Sequence, residues 1–317
     1  MRNNTNIGLI TSKRFLDHDT GNHHPESPNR LKTIDSLIRK SEIFSSVIEI
    51  EPRRQKIKFV ELVHDLDYIA RVQQACELGA PIIDTVDNPI SADSFDVAVF
   101  ATSAVAEGVD RICTGELTSV MSLVRPPGHH AEKNMAMGFC LFNNVAIAAR
   151  YAQKQYGVEK IVIIDFDVHH GNGTQHLFEN DPNILYISTH QYPFYPGTGH
   201  GDEKGTGDGL GKTINYPLKS GSGDEIYLDI FNNSIADIVL DFRPELLILS
   251  AGFDAHEKDI IGGMNVTTEG YYEITKSIMM IAKETSGNKI LSVLEGGYHL
   301  DALAESVVKH IEALAGK

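Results

Sequence analysis

The sequence predicts an α/β protein built on one parallel, doubly wound sheet. Short, continuously apolar segments rich in Ile, Val and Leu recur along the chain, as in strands covered on both faces. They alternate with stretches of helical length, the pattern of strand–helix–strand crossovers. No internal repeat, low-complexity tract or Pro/Ser-rich linker interrupts the 317 residues, so 1–317 is expected to form a single domain.

In chain order the expected strands are Ile7–Ile10, Val47–Ile50, Ser119–Val124, Ile161–Phe166, Ile184–Ser188, Leu246–Ser250 and Ile290–Leu294. The expected helices are Pro28–Lys40, Asp67–Cys76, Phe95–Thr114, Asn144–Tyr156, Asp224–Asp241, Thr268–Glu284 and Asp301–Leu314. In open sheets of this kind the ligand site lies beyond the carboxyl ends of the strands. The chemistry-bearing residues should therefore follow strands.

Bulk composition narrows the class. With 42% hydrophobic and 22% charged residues the chain reads as globular, not disordered. No run of about 18 apolar residues marks a membrane span. The polar stretch Met1–Asn6 does not read as a secretory signal. A net charge of −15 opposes nucleic-acid phosphates and favours basic partners. The three cysteines, Cys76, Cys113 and Cys140, are widely spaced and odd in number, which fits a reducing, cytoplasmic setting. No Cys-x-x-Cys pair exists, so any zinc must use histidine and carboxylate ligands.

Four segments stand out, each directly after an expected strand. Arg125-Pro126-Pro127-Gly128-His129-His130 is a stiff turn that presents adjacent histidines. In Asp165-Phe166-Asp167-Val168-His169-His170-Gly171-Asn172-Gly173, alternation puts Asp165, Asp167 and His169 on one face, a set suited to a cation. The competing reading is a solvated polar loop with Asx-turns. Ser250-Ala251-Gly252-Phe253-Asp254-Ala255-His256 brings Asp254 to the same rim, unless it serves as a helix N-cap. His256 is expected on the rim or behind the ligands. Glu295-Gly296-Gly297-Tyr298 lets the backbone approach a ligand and aims Tyr298 inward.

Asp167, His169 and Asp254 make three ligands with an open position, the pattern of catalytic zinc. Such an ion acidifies water and polarises a carbonyl. A nearby histidine can shuttle the proton and a tyrosine can hydrogen-bond the oxyanion. These are the parts of an amide hydrolase.

Together these residues resemble the zinc-dependent histone deacetylase and acetylpolyamine amidohydrolase family, in its class II-like bacterial branch. The likeness runs from His18-Asp19-Thr20-Gly21-Asn22-His23-His24-Pro25-Glu26 through Arg125–His130, Gly138-Phe139-Cys140 and Asp165–Thr174. It continues through Pro193–Gly199, Gly252–Asp254 and Glu295–Tyr298. It implies an arginase–deacetylase fold, a three-layer α/β/α sandwich with a central, mainly parallel sheet. The implied zinc ligands are Asp167, His169 and Asp254. The implied catalytic residues are His129, His130 (general base and acid), Asp165 (partner of His129) and Tyr298. The carbonyl of Gly138, the aromatic walls Phe139 and Tyr195, the rim residues Asp87 and Ile261, and Gly297 would bind substrate. The resemblance also implies potassium. Asp165, Asp167, His169 and Ser188 match an inner site, and Phe178, Asp181, Ile184 and Lys212 an outer one. Substrates would be an acylated lysine in a peptide or protein, or a related acylated small amine.

Three departures carry information. Asn172 stands where class I relatives have an aspartate, which leaves His130 more readily neutral. Tyr195 replaces a common phenylalanine. Ile261 offers no charge to a distal ammonium, which disfavours polyamines. Two other readings fit parts of the pattern: an arginase-like binuclear manganese hydrolase, which needs more bridging carboxylates, and a silent acyl-lysine-binding module, which Tyr298 argues against. Cys140 reads as a small buried residue. Met135, Met137 and Met264 read as pocket or loop packing, and His23-His24 as shaping the substrate-entry loop.

Overall fold

A computed structural model describes residues 6–53 and 56–317; Met1–Thr5 of the polar leading stretch lie outside the described residues. The strands are β1 (Ile7–Ile10), β2 (Val47–Ile50), β3 (Ser119–Ser122), β4 (Ile161–Asp165), β5 (Ile184–Gln191), β6 (Thr213–Leu218), β7 (Leu246–Ala251) and β8 (Ile290–Leu294). They form one sheet in the order β2-β1-β3-β8-β7-β4-β5-β6, every pair parallel. The helices are α1 (Asn29–Lys40), α2 (Leu66–Glu77), α3 (Ser94–Cys113), α4 (Asn144–Tyr156), α5 (Asn172–Phe178), α6 (Asp224–Asp229), α7 (Ala236–Phe242), α8 (Thr268–Thr285) and α9 (Leu300–Leu314). They pack as two groups, α1 with α9, α8, α7 and α6, and α2 with α3, α4 and α5. The expected α/β/α sandwich is the observed fold.

The interior strands are buried along their whole length, which explains their unbroken apolar runs. Two features escaped the apolar-run reading. β6 alternates in burial, carries Pro217 and lies at the sheet edge, where a missing N–H is tolerated. α5 opens on Asn172-Gly173, residues that signal turns. The single helix expected over Asp224–Asp241 is interrupted by a π-helical turn, Ile230–Ile235. Tyr227, Phe231, Ile235 and Val239 are all buried at four-residue intervals. On a 3.6-residue helix that spacing drifts by roughly 40° per step, and a wider turn restores the apolar face.

The four strands that precede the motif loops, β3, β8, β7 and β4, are neighbours in the middle of the sheet. Two apolar clusters support this arrangement. One covers both faces of the sheet; the other joins Tyr68, Val72, Ile83, Ile90, Phe95 and Phe142 beneath the loops that carry Asp87 and Gly138.

A buried ionic knot ties the segment before α1 to β3 and β8. Arg125 donates to both oxygens of Glu26, at 2.5 and 2.8 Å, and Arg30 donates to Oε1 at 3.1 Å. All three side chains are fully buried. Arg30 also donates to the Gly297 carbonyl at 2.7 Å and lies over the Tyr298 ring. Burial opposes the Glu26 charge, but Arg125 and then Arg30 outweigh it and hold the carboxyl near about 2, against an ordinary 4.5. Because the folded value is the lower one, Glu26 contributes its full stability above pH 4.5 and loses it as pH falls towards about 2. Glu26→Gln should cost about 3–5 kcal/mol in urea unfolding at neutral pH, since it leaves two buried guanidiniums unpaired. The substitution should also flatten the loss of stability across that acid window.

Candidate active site

Asp165 is the last residue of β4, and the chain leaves the strand there. It then runs through two Asx-type turns: Asp165 Oδ1 accepts the N–H of Asp167 at 3.2 Å, and Asp167 Oδ1 accepts that of His169 at 2.9 Å. The turns weighed against function in the sequence are present, and they are what aim the ligands. Asp254, just beyond β7, accepts the Val168 N–H through Oδ1 at 2.8 Å. Donor atoms of Asp167, His169 and Asp254 thus lie within 4.8 Å of one another, all buried.

The fit to a cation rests on two observations. Asp254 Oδ2 is buried with no hydrogen-bond partner, and His169 Nδ1 sits 3.0 Å from Asp167 Oδ1 and 3.2 Å from that orphaned oxygen. Glycine at 296 also makes room, since a Cβ there would lie 2.0 Å from Asp254 Oδ2 and 2.5 Å from Asp167 Oδ2. The borderline and hard donors, with one side facing a slot, suit a divalent ion. Asp254 is pushed up by burial and by Asp167, a strain that a bound cation would relieve. Burial opposes a charge on His169, but the carboxylates of Asp167 and Asp254 lift it to about 9.

The two adjacent histidines have different partners. His129 Nδ1 lies 3.0 Å from Asp165 Oδ2, whose other donor is Tyr186. Burial disfavours charge on His129, but Asp165 and Asp167 prevail and raise it to about 10. His130 Nδ1 lies 2.7 Å from Asn172 Oδ1. Burial, then His129 and His169, push His130 well below its ordinary value, against the opposing effect of its hydrogen bond to Asn172. Glu295 Oε2 fixes the loop by accepting the N–H groups of Gly128 and His129 at 2.7 and 3.2 Å.

Over this floor stands a slot of about 240 Å³ lined by Asp87, His130, Gly138, Phe139, His169, Phe194, Tyr195, Ile261 and Tyr298. The expected wall, rim and tyrosine residues therefore meet in one place. His129, Asp165, Asp167 and Asp254 lie behind the lining. Gly297 lies outside the lining, and its carbonyl is taken by Arg30. Ser188 is the ladder partner of Asp165, next to the expected inner potassium residues. Phe178, Asp181 and Ile184 lie at the turn from α5 into β5, where Asp181 pairs with Arg150 at 2.5 Å, and Lys212 immediately precedes β6. His256 bonds Thr268 at 3.0 Å, away from the ligands. His24 stands edge-on to Phe139 at 4.6 Å, beside the mouth. Cys140 is a buried, free thiol held well up by burial, which fits its packing role.

Three residues were not foreseen. Phe194 stacks on His169 at 5.3 Å and is a third aromatic wall; its place beside Tyr195 in Pro193–Pro196 was the available signal. Asp259 accepts the N–H groups of Tyr298 at 2.7 Å and Ile261 at 2.9 Å, joining the two sides of the rim. Arg30, inside an ordinary helix pattern, supports the Tyr298 loop.

A parallel eight-stranded sheet, with a buried Asp-His-Asp triad that could hold a cation beneath a narrow aromatic slot, is the arginase–deacetylase fold. The chain belongs to the histone deacetylase family: the histone deacetylase domain matches residues 24–314. It is 37% identical to a probable deacetylase of Archaeoglobus fulgidus, over 98% of this chain and 86% of that protein. It is 36% identical to the polyamine deacetylase HDAC10 of Homo sapiens, over 92% of this chain and 44% of that one. The crystal structure of the HDA15 HD domain superposes with a TM-score of 0.94 at 36% identity, covering 99% of this chain and 89% of that chain. Among the described residues no helix is long and apolar enough to cross a membrane.

Gly296→Ala should abolish metal retention while leaving the far-ultraviolet circular dichroism unchanged. Metal content of the purified protein checks this.

Proposed function

We propose that this chain, as one catalytic domain over residues 1–317, is a zinc-dependent deacylase of acylated lysine side chains. The observation that carries the reading is the buried triad of Asp167, His169 and Asp254 at the floor of a slot that also holds His130 and Tyr298. These three residues would hold the zinc, which when bound polarises the scissile carbonyl and lowers the pKa of a water. Phe139, Phe194 and Tyr195 would flank the methylenes of an acyl-lysine, with the Gly138 carbonyl accepting its amide N–H. His130 is the general base, taking the water's proton on Nε2 and returning it to the leaving amine. His129, tied to Asp165, supplies fixed positive charge beside it. Tyr298, whose phenol is held well above its ordinary value by burial, remains a donor and hydrogen-bonds the oxyanion. Asp87 and Ile261 form the rim. Potassium at the inner set Asp165, Asp167, His169 and Ser188, and at the outer set Phe178, Asp181, Ile184 and Lys212, is part of this proposal. So is a cytoplasmic setting, which the free thiols support.

One zinc per chain is expected on metal analysis; two manganese ions would favour the arginase-like reading. Tyr298→Phe should keep its zinc yet lose roughly a hundredfold or more in kcat. An unchanged kcat would show the oxyanion assignment to be wrong.

The carrier amine is read from the rim. Ile261 is apolar, and its neighbour Ile260 is 69% exposed, so neither side chain offers a charge to a distal ammonium. An acetyl-lysine peptide should therefore turn over faster than N-acetylputrescine. The reverse order in parallel kinetics would overturn the lysine reading.

A further inference from the structure

We infer that Glu132 is a positioning residue that fixes the tautomer of His130 through Asn172, an inference that rests on His130 being the general base. The need arises from the chemistry of Asn172. A primary amide has an accepting end and a donating end of nearly the same shape, so Asn172 alone does not dictate which end meets His130. A carboxylate facing the amide removes the ambiguity, because an ionised carboxylate only accepts.

Glu132 provides that carboxylate. Its Oε1 lies 2.5 Å from Asn172 Nδ2. The other neighbours of the same NH₂ group are also acceptors, Met137 Sδ at 3.3 Å and the His130 carbonyl at 3.4 Å. The amide oxygen is thereby turned to His130, 2.7 Å away. His130 must donate from Nδ1, which leaves Nε2 with its lone pair for the slot that the ring lines. Glu132 is itself anchored, since His176 Nδ1 lies 2.9 Å from the same Oε1. Asn172 and His176 stand four residues apart on α5, so one helical face presents both donors to Glu132.

The arrangement differs from that of His129, which meets Asp165 directly. At His130 the carboxylate acts one residue removed. It sets the direction of the hydrogen bond without placing a negative charge against the ring. The ring is oriented as a base and is not pushed towards the imidazolium.

The test is steady-state kinetics on an acetyl-lysine peptide, with zinc content measured for every variant. Glu132→Ala should lower kcat by about 10–100-fold, the usual effect of losing a partner that orients a functional histidine. KM should stay within about twofold, because substrate contacts are untouched. Glu132→Gln should recover only part of that loss, since its amide oxygen can accept from Asn172 but its NH₂ end can also face it. E132K reverses the polarity and should be worse than E132A. Adding N172D to E132K should raise kcat again, because the new carboxylate accepts from both the ammonium and His130. N172D alone should lower kcat, with two carboxylates then facing each other. A merely structural role predicts no such reversal of sign.

Long-range ¹⁵N–¹H spectra of histidine-labelled protein give a readout independent of activity. The His130 signals, identified by their absence in H130A, should show the Nδ1–H form in the wild type and a mixture in E132A. Unchanged kcat and tautomer in E132A would overturn the inference, as would N172D giving no gain in E132K. If E132K does not fold, the E132A and E132Q pair and the spectra still decide. H130A separates the two levels of argument. If H130A is as active as the wild type, the general-base reading fails; if H130A is inactive and E132A is unaffected, only the role of Glu132 fails.

Discussion

Four carboxylates, those of Asp165, Asp167, Asp254 and Glu295, are fully buried at the ends of adjacent central strands, and the rest of the site is arranged around them. A buried charge is costly unless N–H donors and opposite charges meet it. Here the donors are the backbones of neighbouring loops. Asp167 takes the N–H groups of His169 and Gly296, Asp254 that of Val168, and Glu295 those of Gly128 and His129. These three carboxylates each fasten one strand-end loop to another, and Asp165 does so through the His129 ring. The same groups that could hold a cation also hold the loops around it, so a bound metal would be coupled to local folding.

Positive charge is distributed to match. Arg125 and Arg30 are engaged by Glu26, and Arg30 extends the network to the carbonyls of Glu295 and Gly297. Burial opposes charge on His129, but Asp165 and Asp167 raise it, while burial, then His129 and His169, push His130 down. Two chemically identical side chains, adjacent in sequence, are thus shifted in opposite directions by their surroundings.

The mouth of the slot follows a different logic. Asp87 Oδ2 accepts from the Gly138 N–H at 3.2 Å and from the Tyr195 hydroxyl at 3.1 Å, so one carboxylate ties an aromatic wall to the loop opposite. The smaller apolar cluster fixes the backbone on either side of that link. Gly138 has φ +57°, and a Cβ there would lie 2.2 Å from His130 Cδ2, so the wall can approach the His130 ring only as glycine. Tyr195 contributes more than a wall: its hydroxyl, absent from phenylalanine, completes the Asp87 link.

The sequence by itself determined the parallel sheet, because strands buried on both faces must read as unbroken apolar runs, and it marked the loops that meet at the slot, because those loops follow the strands. Asp167, His169, Asp254, the histidine pair and Tyr298 were legible on that basis. β6 was not, since an edge strand needs neither continuous apolarity nor a full set of donors. Only the tertiary structure decided that β3, β8, β7 and β4 are neighbours, since strand order is set by crossovers and not by local pattern. It alone set Phe194 against His169, joined Ile261 to Tyr298 through Asp259, and aimed the Asn172 amide with Glu132. These contacts depend on distances between segments far apart in the chain, and no local spacing encodes them.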